Sequence, residues 1–175
     1  MFQWVAFYIK LVNNLPMNIL YTATSAISGI GLFCKRPLAY EECILSLKGD
    51  HVFHDYTPKF AKEGPNWIGI GPNEWLIPQK GSPVLFVNHS CKPNVFINQY
   101  LELVAARPLK PNTELLLDYS STELDPYWRM TCTCKNENCR KLIKNFDSLP
   151  AILKVKYSYF IHPNFWKTSM EKKWG

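Results

Sequence analysis

Three cysteines fall within eight residues in Cys132-Thr133-Cys134-Lys135-Asn136-Glu137-Asn138-Cys139, and this cluster limits the possible folds more than any other stretch. Tetrahedral zinc takes four ligands, and the cluster offers three. The fourth has to be carried in from another part of the chain, which ties two segments distant in sequence to one point. Cys34, Cys43 and Cys91 are the candidate donors, with His162 a more remote one. Disulfides are the competing use of six cysteines. The start, Phe2-Gln3-Trp4-Val5-Ala6-Phe7-Tyr8-Ile9, is apolar but short, lacks a basic leader and meets Lys10 at once. It does not read as an export signal or a membrane span. The expectation is an intracellular protein with reduced thiols, nuclear in a eukaryote and cytoplasmic in a bacterium, and that favours metal over disulfide.

The 13 prolines argue for many short elements rather than long helices. Short apolar runs read as strands at Trp4–Leu11 and Ile19–Thr24 around a turn at Asn13-Asn14-Leu15-Pro16, then at 28–33, 43–47, 84–87, 95–104 and 114–119. Residues 49–83, rich in Gly, Pro and Asn, hold smaller strands near 67–70 and 75–77. Helix is expected only from Leu142 to a stop near His162-Pro163. The sum is a mainly β domain of small sheets, and 175 residues suffice for one buried core. The net charge of +6 is concentrated in residues 140–175, where eight Lys and Arg face only Asp147 and Glu171. Such a tail suits solvated lysines on a closing helix, or contact with nucleic acid or another acidic surface.

Asn88-His89-Ser90-Cys91-Lys92-Pro93-Asn94 places an amide, an imidazole and a thiol within four residues. A hydrolase reading fails, because adjacent side chains on an extended chain point to opposite faces and no glycine elbow lifts the serine. Gly29-Ile30-Gly31 bares backbone that a nucleotide-like cofactor could lie against, although no third glycine opens a helix as in a dinucleotide fingerprint. Glu114-Leu115-Leu116-Leu117-Asp118-Tyr119 ends an apolar run on a tyrosine. The cysteines and the charge also allow a zinc-ribbon nucleic-acid binder, in which Cys91 would be dispensable for metal.

These four segments, in this order, resemble the SET-domain protein lysine methyltransferases that carry a post-SET zinc segment, over about residues 20–145. The resemblance implies a fold of small curved sheets with a knot-like crossing, where the Asn88 and Tyr119 segments meet. It implies a SET domain over 1–130 with a variable insert at about 49–83, a post-SET segment over 131–146, and a basic, aromatic extension over 147–175. It implies that Gly29, Ile30, Gly31, Asn88 and His89 hold S-adenosylmethionine, with Leu142 covering the adenine. Cys91 becomes the fourth zinc ligand beside Cys132, Cys134 and Cys139, which leaves Cys34 and Cys43 as core thiols. Tyr119 is implied at the reacting centre, orienting a substrate amine rather than acting as a base, since a free phenol has a pKa of about 10.

The implied function is methyl transfer to the side-chain amine of a protein lysine, with a histone tail as a candidate substrate and no membrane partner; a catalytically silent SET module that binds a protein is the alternative. Departures from the family pattern are specific. Leu117 stands where Phe or Tyr often helps to limit the number of methyl groups added, so the degree of methylation stays open. Lys135 stands where glycine often follows the second cysteine, and it is not expected to disturb ligation. Within the insert, Phe53, Tyr56, Phe60, Trp67 and Trp75 are candidates to shape substrate choice, with core packing the expected role for the two tryptophans.

Overall fold

A computed structural model of the chain describes residues 19–63 and 66–160. The expected strand at Trp4–Leu11, its turn and the helix stop at His162 lie outside them. Twelve short strands form five small sheets among the described residues. β1 (Leu20–Thr24) and β2 (Ile30–Cys34) make an antiparallel hairpin. β3 (Cys43–Ser46) joins β8 (Val95–Ile97) and β9 (Glu102–Ala105) in the order β3-β9-β8. β4 (Gly49–Phe53), β5 (Ile68–Gly71) and β6 (Glu74–Pro78) form the insert sheet, in the order β4-β6-β5. β7 (Asn88–His89) runs parallel to β10 (Leu116–Leu117), and β11 (Arg129–Thr131) pairs with β12 (Leu142–Lys144). Two short α-helices, α1 (Pro58–Glu63) and α2 (Ala151–Tyr157), occur among the described residues.

The mainly β architecture is the expected one, but several elements differ, each for a local reason. Residues Pro83–Phe86 form a 3-10 turn rather than a strand, because Pro83 at its first position fixes φ in the helical range. The long apolar run 95–104 folds into a hairpin instead of one strand. Its turn is held by Asn98, whose Oδ1 accepts from the N–H of Tyr100 and of Glu102. The run 114–119 keeps only two residues of strand before Asp118 caps a 3-10 turn over Tyr119–Thr122. Leu142 starts a strand, not a helix, and the helix begins only after Pro150. In the insert, β4 and α1 are additions that the sequence did not announce.

One core runs from β1 and β2 through the central sheet, with Leu32, Cys34, Val95, Leu103 and Leu115 at or near zero exposure. A second cluster gathers Phe96, Phe146 and Tyr157, so α2 is part of the core. Burying side chains of this size is worth about 1.5–3 kcal/mol each. Cys34 is a core thiol as expected, whereas Cys43 is exposed, since it opens β3 on that strand's outward face. The insert aromatics divide. Phe60 and Trp75 are buried against each other, Trp67 is half-buried beside Phe60, and Phe53 is 78% exposed. No helix among the described residues is long and apolar enough to cross a membrane.

Candidate active site

The parallel pairing of β7 with β10 sets Asn88 opposite Leu116 and His89 opposite Leu117. Asn94, 3% exposed, locks this junction from both directions. Its Nδ2 donates to Glu114 O at 2.7 Å, and its Oδ1 accepts from Leu116 N at 2.8 Å. The Asn88 amide spans outward from the junction. Its Nδ2 donates to Ser28 O (3.0 Å) and Glu114 Oε1 (2.9 Å), with a longer contact to Ile30 O (3.4 Å). A Cβ on Gly31 would meet Glu114 Oε1, so the bare backbone there lets the carboxylate reach Asn88, while Gly29 has φ +48°, in the left-handed region that favours glycine. The structure thus brings Asn88 and the Gly29–Gly31 backbone together, with Ile30 43% exposed beside them.

His89 is buried by its side chain as well as placed by its backbone. Its Nδ1 accepts from Tyr119 N at 3.2 Å and its Nε2 lies 3.6 Å from Cys91 Sγ. Desolvation by burial pulls its pKa down to about 4, an effect that the nearby Asp118 charge only partly opposes. The 3.7 Å approach of Nδ1 to Asp118 is therefore that of a neutral ring and not an ion pair.

Tyr119 begins its 3-10 turn with the hydroxyl donating to Val87 O at 2.8 Å, and its ring meets His89 edge-on at 5.3 Å. Burial pushes the phenol up to about 12, so it stays protonated at neutral pH and offers an oxygen lone pair instead of a base. It lies in the wall of a cavity of about 380 Å³, with Val87, Leu117, Trp67, Trp128 and Glu123. Gly69 makes room for this wall. A Cβ on it would fall 2.5 Å from Thr122 O, so only glycine lets β5 approach the turn that carries Tyr119.

Asp118, with no exposed surface, is the polar hub behind Tyr119. Its carboxylate accepts from the Arg140 guanidinium at 2.5 Å, from the Tyr157 hydroxyl at 2.9 Å and from Ser120 N at 3.1 Å. The residue before the tyrosine is thereby bonded to the cysteine segment and to α2 at once. A buried carboxylate is costly unless its lone pairs are filled in this manner.

Cys91, Cys132, Cys134 and Cys139 converge, all four sulfurs lying within 4.8 Å of one another. A tetrahedron with metal–sulfur bonds of about 2.3 Å has edges of about 3.8 Å, and Cys91 Sγ lies 3.7 Å from Cys132 Sγ. Backbone N–H groups of Cys134, Arg140 and Lys141 donate to the sulfurs of Cys132, Cys91 and Cys139, which suits thiolates. These residues fit one tetrahedral metal ion. Lys135 has φ +55°, the left-handed region that explains why glycine suits this position, and the ligand set gathers despite the lysine. The segment also touches the loop before Gly29, with Thr133 Oγ1 donating to Ile27 O and Lys135 Nζ to Ala26 O.

Leu142 is 46% exposed and lines a separate cavity of about 290 Å³ with Ser120, Arg140 and Leu149, rather than the cavity of Tyr119. Four residues of this site were missed by sequence reasoning: Asn94, Glu123, Trp128 and Arg140. Only Asn94, inside a motif already singled out, and Arg140, directly after a cysteine, carried any signal. Glu123 and Trp128 occupy an irregular segment whose sequence names no partner.

The SET domain family matches residues 29–120, more than half of the chain. Among similar proteins is the human "Histone-lysine N-methyltransferase 2B", 29% identical over 68% of this chain and 5% of its own length. Another is the "Probable histone-lysine N-methyltransferase set-23" of Caenorhabditis briggsae, 33% identical over 77% of this chain and 64% of its own. A third, from Cryptococcus neoformans, is the "Histone-lysine N-methyltransferase, H3 lysine-4 specific", 30% identical over 67% of this chain and 9% of its own. The chain thus spans less than two thirds of the length of each of these relatives. With the small sheets, the parallel junction of the Asn88 and Tyr119 segments and the family match in agreement, the chain belongs to the SET-domain family.

Proposed function

We propose that this chain transfers a methyl group from S-adenosylmethionine to the side-chain amine of a protein lysine, with histones as the substrate class that the relatives' names suggest. The observation that carries the reading is Tyr119, its phenol pinned by Val87 O in the wall of a cavity that mixes apolar and polar side chains, one junction away from Asn88 and the glycine strand. S-adenosylmethionine would supply an electrophilic methyl on a sulfonium. Gly29, Ile30, Gly31, Asn88 and the backbone of His89 would hold it, with Leu142 as a flank. Within the cavity, Val87, Leu117 and Ile68 strip water from an entering lysine and lower the pKa of its ammonium. Because the Tyr119 hydroxyl already donates to Val87 O, its oxygen accepts from the amine and fixes the direction of attack.

In the same reading Cys91, Cys132, Cys134 and Cys139 hold one structural zinc, which ties the post-SET segment to the junction. A histone substrate places the protein in the nucleus. Contact of the basic residues 147–175 with an acidic surface belongs to this reading too. Since Tyr157 is core, its test is charge reversal at Lys156, Lys172 and Lys173 rather than deletion. The main test is transfer from labelled S-adenosylmethionine to histones and to whole-cell lysate, with Tyr119→Phe as control. Labelled protein with the wild type alone supports the reading. No label in either sample points to a silent binding module.

A further inference from the structure

A residue that bears a carboxyl lines the cavity that holds Tyr119. Glu123 directly follows the 3-10 turn of Tyr119–Thr122, is 8% exposed, and shares the wall with Tyr119, Leu117 and Trp128. Its Oε1 accepts from Asp125 N at 2.7 Å, and its own backbone O accepts from Phe146 N at 2.7 Å, so both ends of the residue are fixed. Burying a carboxyl is costly where its hydrogen bonds are only partly met, and nothing in the junction, the cysteine cluster or the Asp118 hub uses it. The proposed reaction leaves one step without an agent. Lysine arrives as an ammonium, and only the free amine has the lone pair to attack a methyl group.

We propose that Glu123 is the general base that takes the proton from the substrate ammonium in the Tyr119 cavity; this rests on the methyltransferase reading above. The carboxylate receives one proton from the ammonium, giving a carboxylic acid and a neutral amine. The amine's lone pair then forms the new C–N bond, and the S–C bonding pair returns to sulfur, leaving a thioether and a protonated methylamine. The acid gives its proton to water at the cavity mouth and is ready for another turnover.

Burial pushes the Glu123 carboxyl up to about 8, with the Asp125 N–H opposing and the Asp125 charge adding to the rise. A base serves best when its pKa lies near the working pH. The acidic neighbours are Asp125, itself raised by burial, and Asp147 in the turn that follows Phe146. Tyr56, whose phenol burial pushes up to about 12 and which Glu123 raises further, lies on the insert side. Lys62 of α1 and Arg129 of β11 line the same cavity, and His54 faces Asp125. Tyr119, protonated, completes the set.

The test is the pH dependence of kcat/KM for full-length metal-loaded protein on a lysine peptide and on the matching thialysine peptide, whose amine is less basic. Wild type, Glu123→Gln and Glu123→Asp are compared. Gln keeps an oxygen for the Asp125 N–H, so thermal stability and S-adenosylmethionine binding serve as checks on folding. The expected results for Glu123→Gln are a loss of about 100-fold near pH 7.5, disappearance of the rise near pH 8, and a smaller defect on thialysine. Glu123→Asp should recover part of the rate. An unchanged rate and profile, or an equal defect on both peptides at every pH, would overturn the proposal while leaving the methyltransferase reading intact. Wild type that methylates no lysine peptide would overturn that reading and the proposal together.

Discussion

Removing the guanidinium of Arg140 while keeping its aliphatic stem, as in Arg140→Met, probes the hub that joins the tyrosine segment to the cysteine clip. The Asp118 side chain is 0% exposed and that of Arg140 19%, and their contact is 2.5 Å. Breaking such a buried pair by removing one partner costs about 3–5 kcal/mol, because the remaining charge stays in the interior. Tyr157 and Ser120 still donate to Asp118, which places the loss near the lower end, about 3 kcal/mol. The exposed pair Arg36–Glu42, at 2.6 Å with side chains 48% and 23% exposed, supplies the internal control. Arg36→Met should cost far less, because water screens an exposed pair. With a urea slope of about 2 kcal/mol/M, Arg140→Met should lower the unfolding midpoint by about 1.5 M. The pairing of Arg140→Met with Asp118→Asn should recover much of that loss, since no lone charge is then buried. The backbone N–H of Arg140 still reaches Cys91 Sγ, so bound metal should stay constant across the series. Equal costs for Arg140→Met and Arg36→Met, or a double variant no better than the single, would refute the hub.

Cys91→Ser should remove bound zinc, loosen β7 as well as the cysteine segment, and weaken S-adenosylmethionine binding. Metal analysis with calorimetric titration checks both, and zinc retained at full stoichiometry would exclude Cys91 as a ligand. Gly69→Ala forces a Cβ against Thr122 O and must push β5 away from the Tyr119 turn. Methyl transfer should fall far more than cofactor affinity, because the cavity wall moves and the glycine strand does not. Glu123 also gives stability a pH signature. Its folded pKa is raised to about 8, so its favourable contribution is complete below the unfolded carboxylate value and fades as pH rises through 8. Glu123→Gln should flatten that decline between pH 5 and 9 in urea titrations.

What the sequence disclosed depended on how local each signal was. Asn88-His89-Ser90-Cys91, the glycine strand and the cysteine triplet are contiguous motifs, and the structure brings Asn88 to Ser28 and Cys91 to the triplet. Strand positions were legible where apolar runs were short. They failed where a capping side chain outweighed the apolar pattern, at Asn98 within the run 95–104 and at Asp118 after Leu117. Leu142-Ile143-Lys144 carried no sign that it would pair with Arg129–Thr131, which it meets across the cysteine loop that lies between the two strands. The Asp118–Arg140–Tyr157 hub was illegible for the same reason. It joins three segments whose proximity exists only after folding, and no spacing rule connects residues 118, 140 and 157.

In the proposed reaction the Tyr119 cavity directs a methyl group onto a lysine amine, and the position of a methyl label decides whether it does. After reaction with methyl-labelled S-adenosylmethionine, total acid hydrolysis and amino-acid analysis of the substrate identify the atom modified. Label should appear in Nε-methyllysine for the wild type and drop at least about 100-fold for Tyr119→Phe, with cofactor binding retained. Label on any other amino acid, or full activity in Tyr119→Phe, would contradict it.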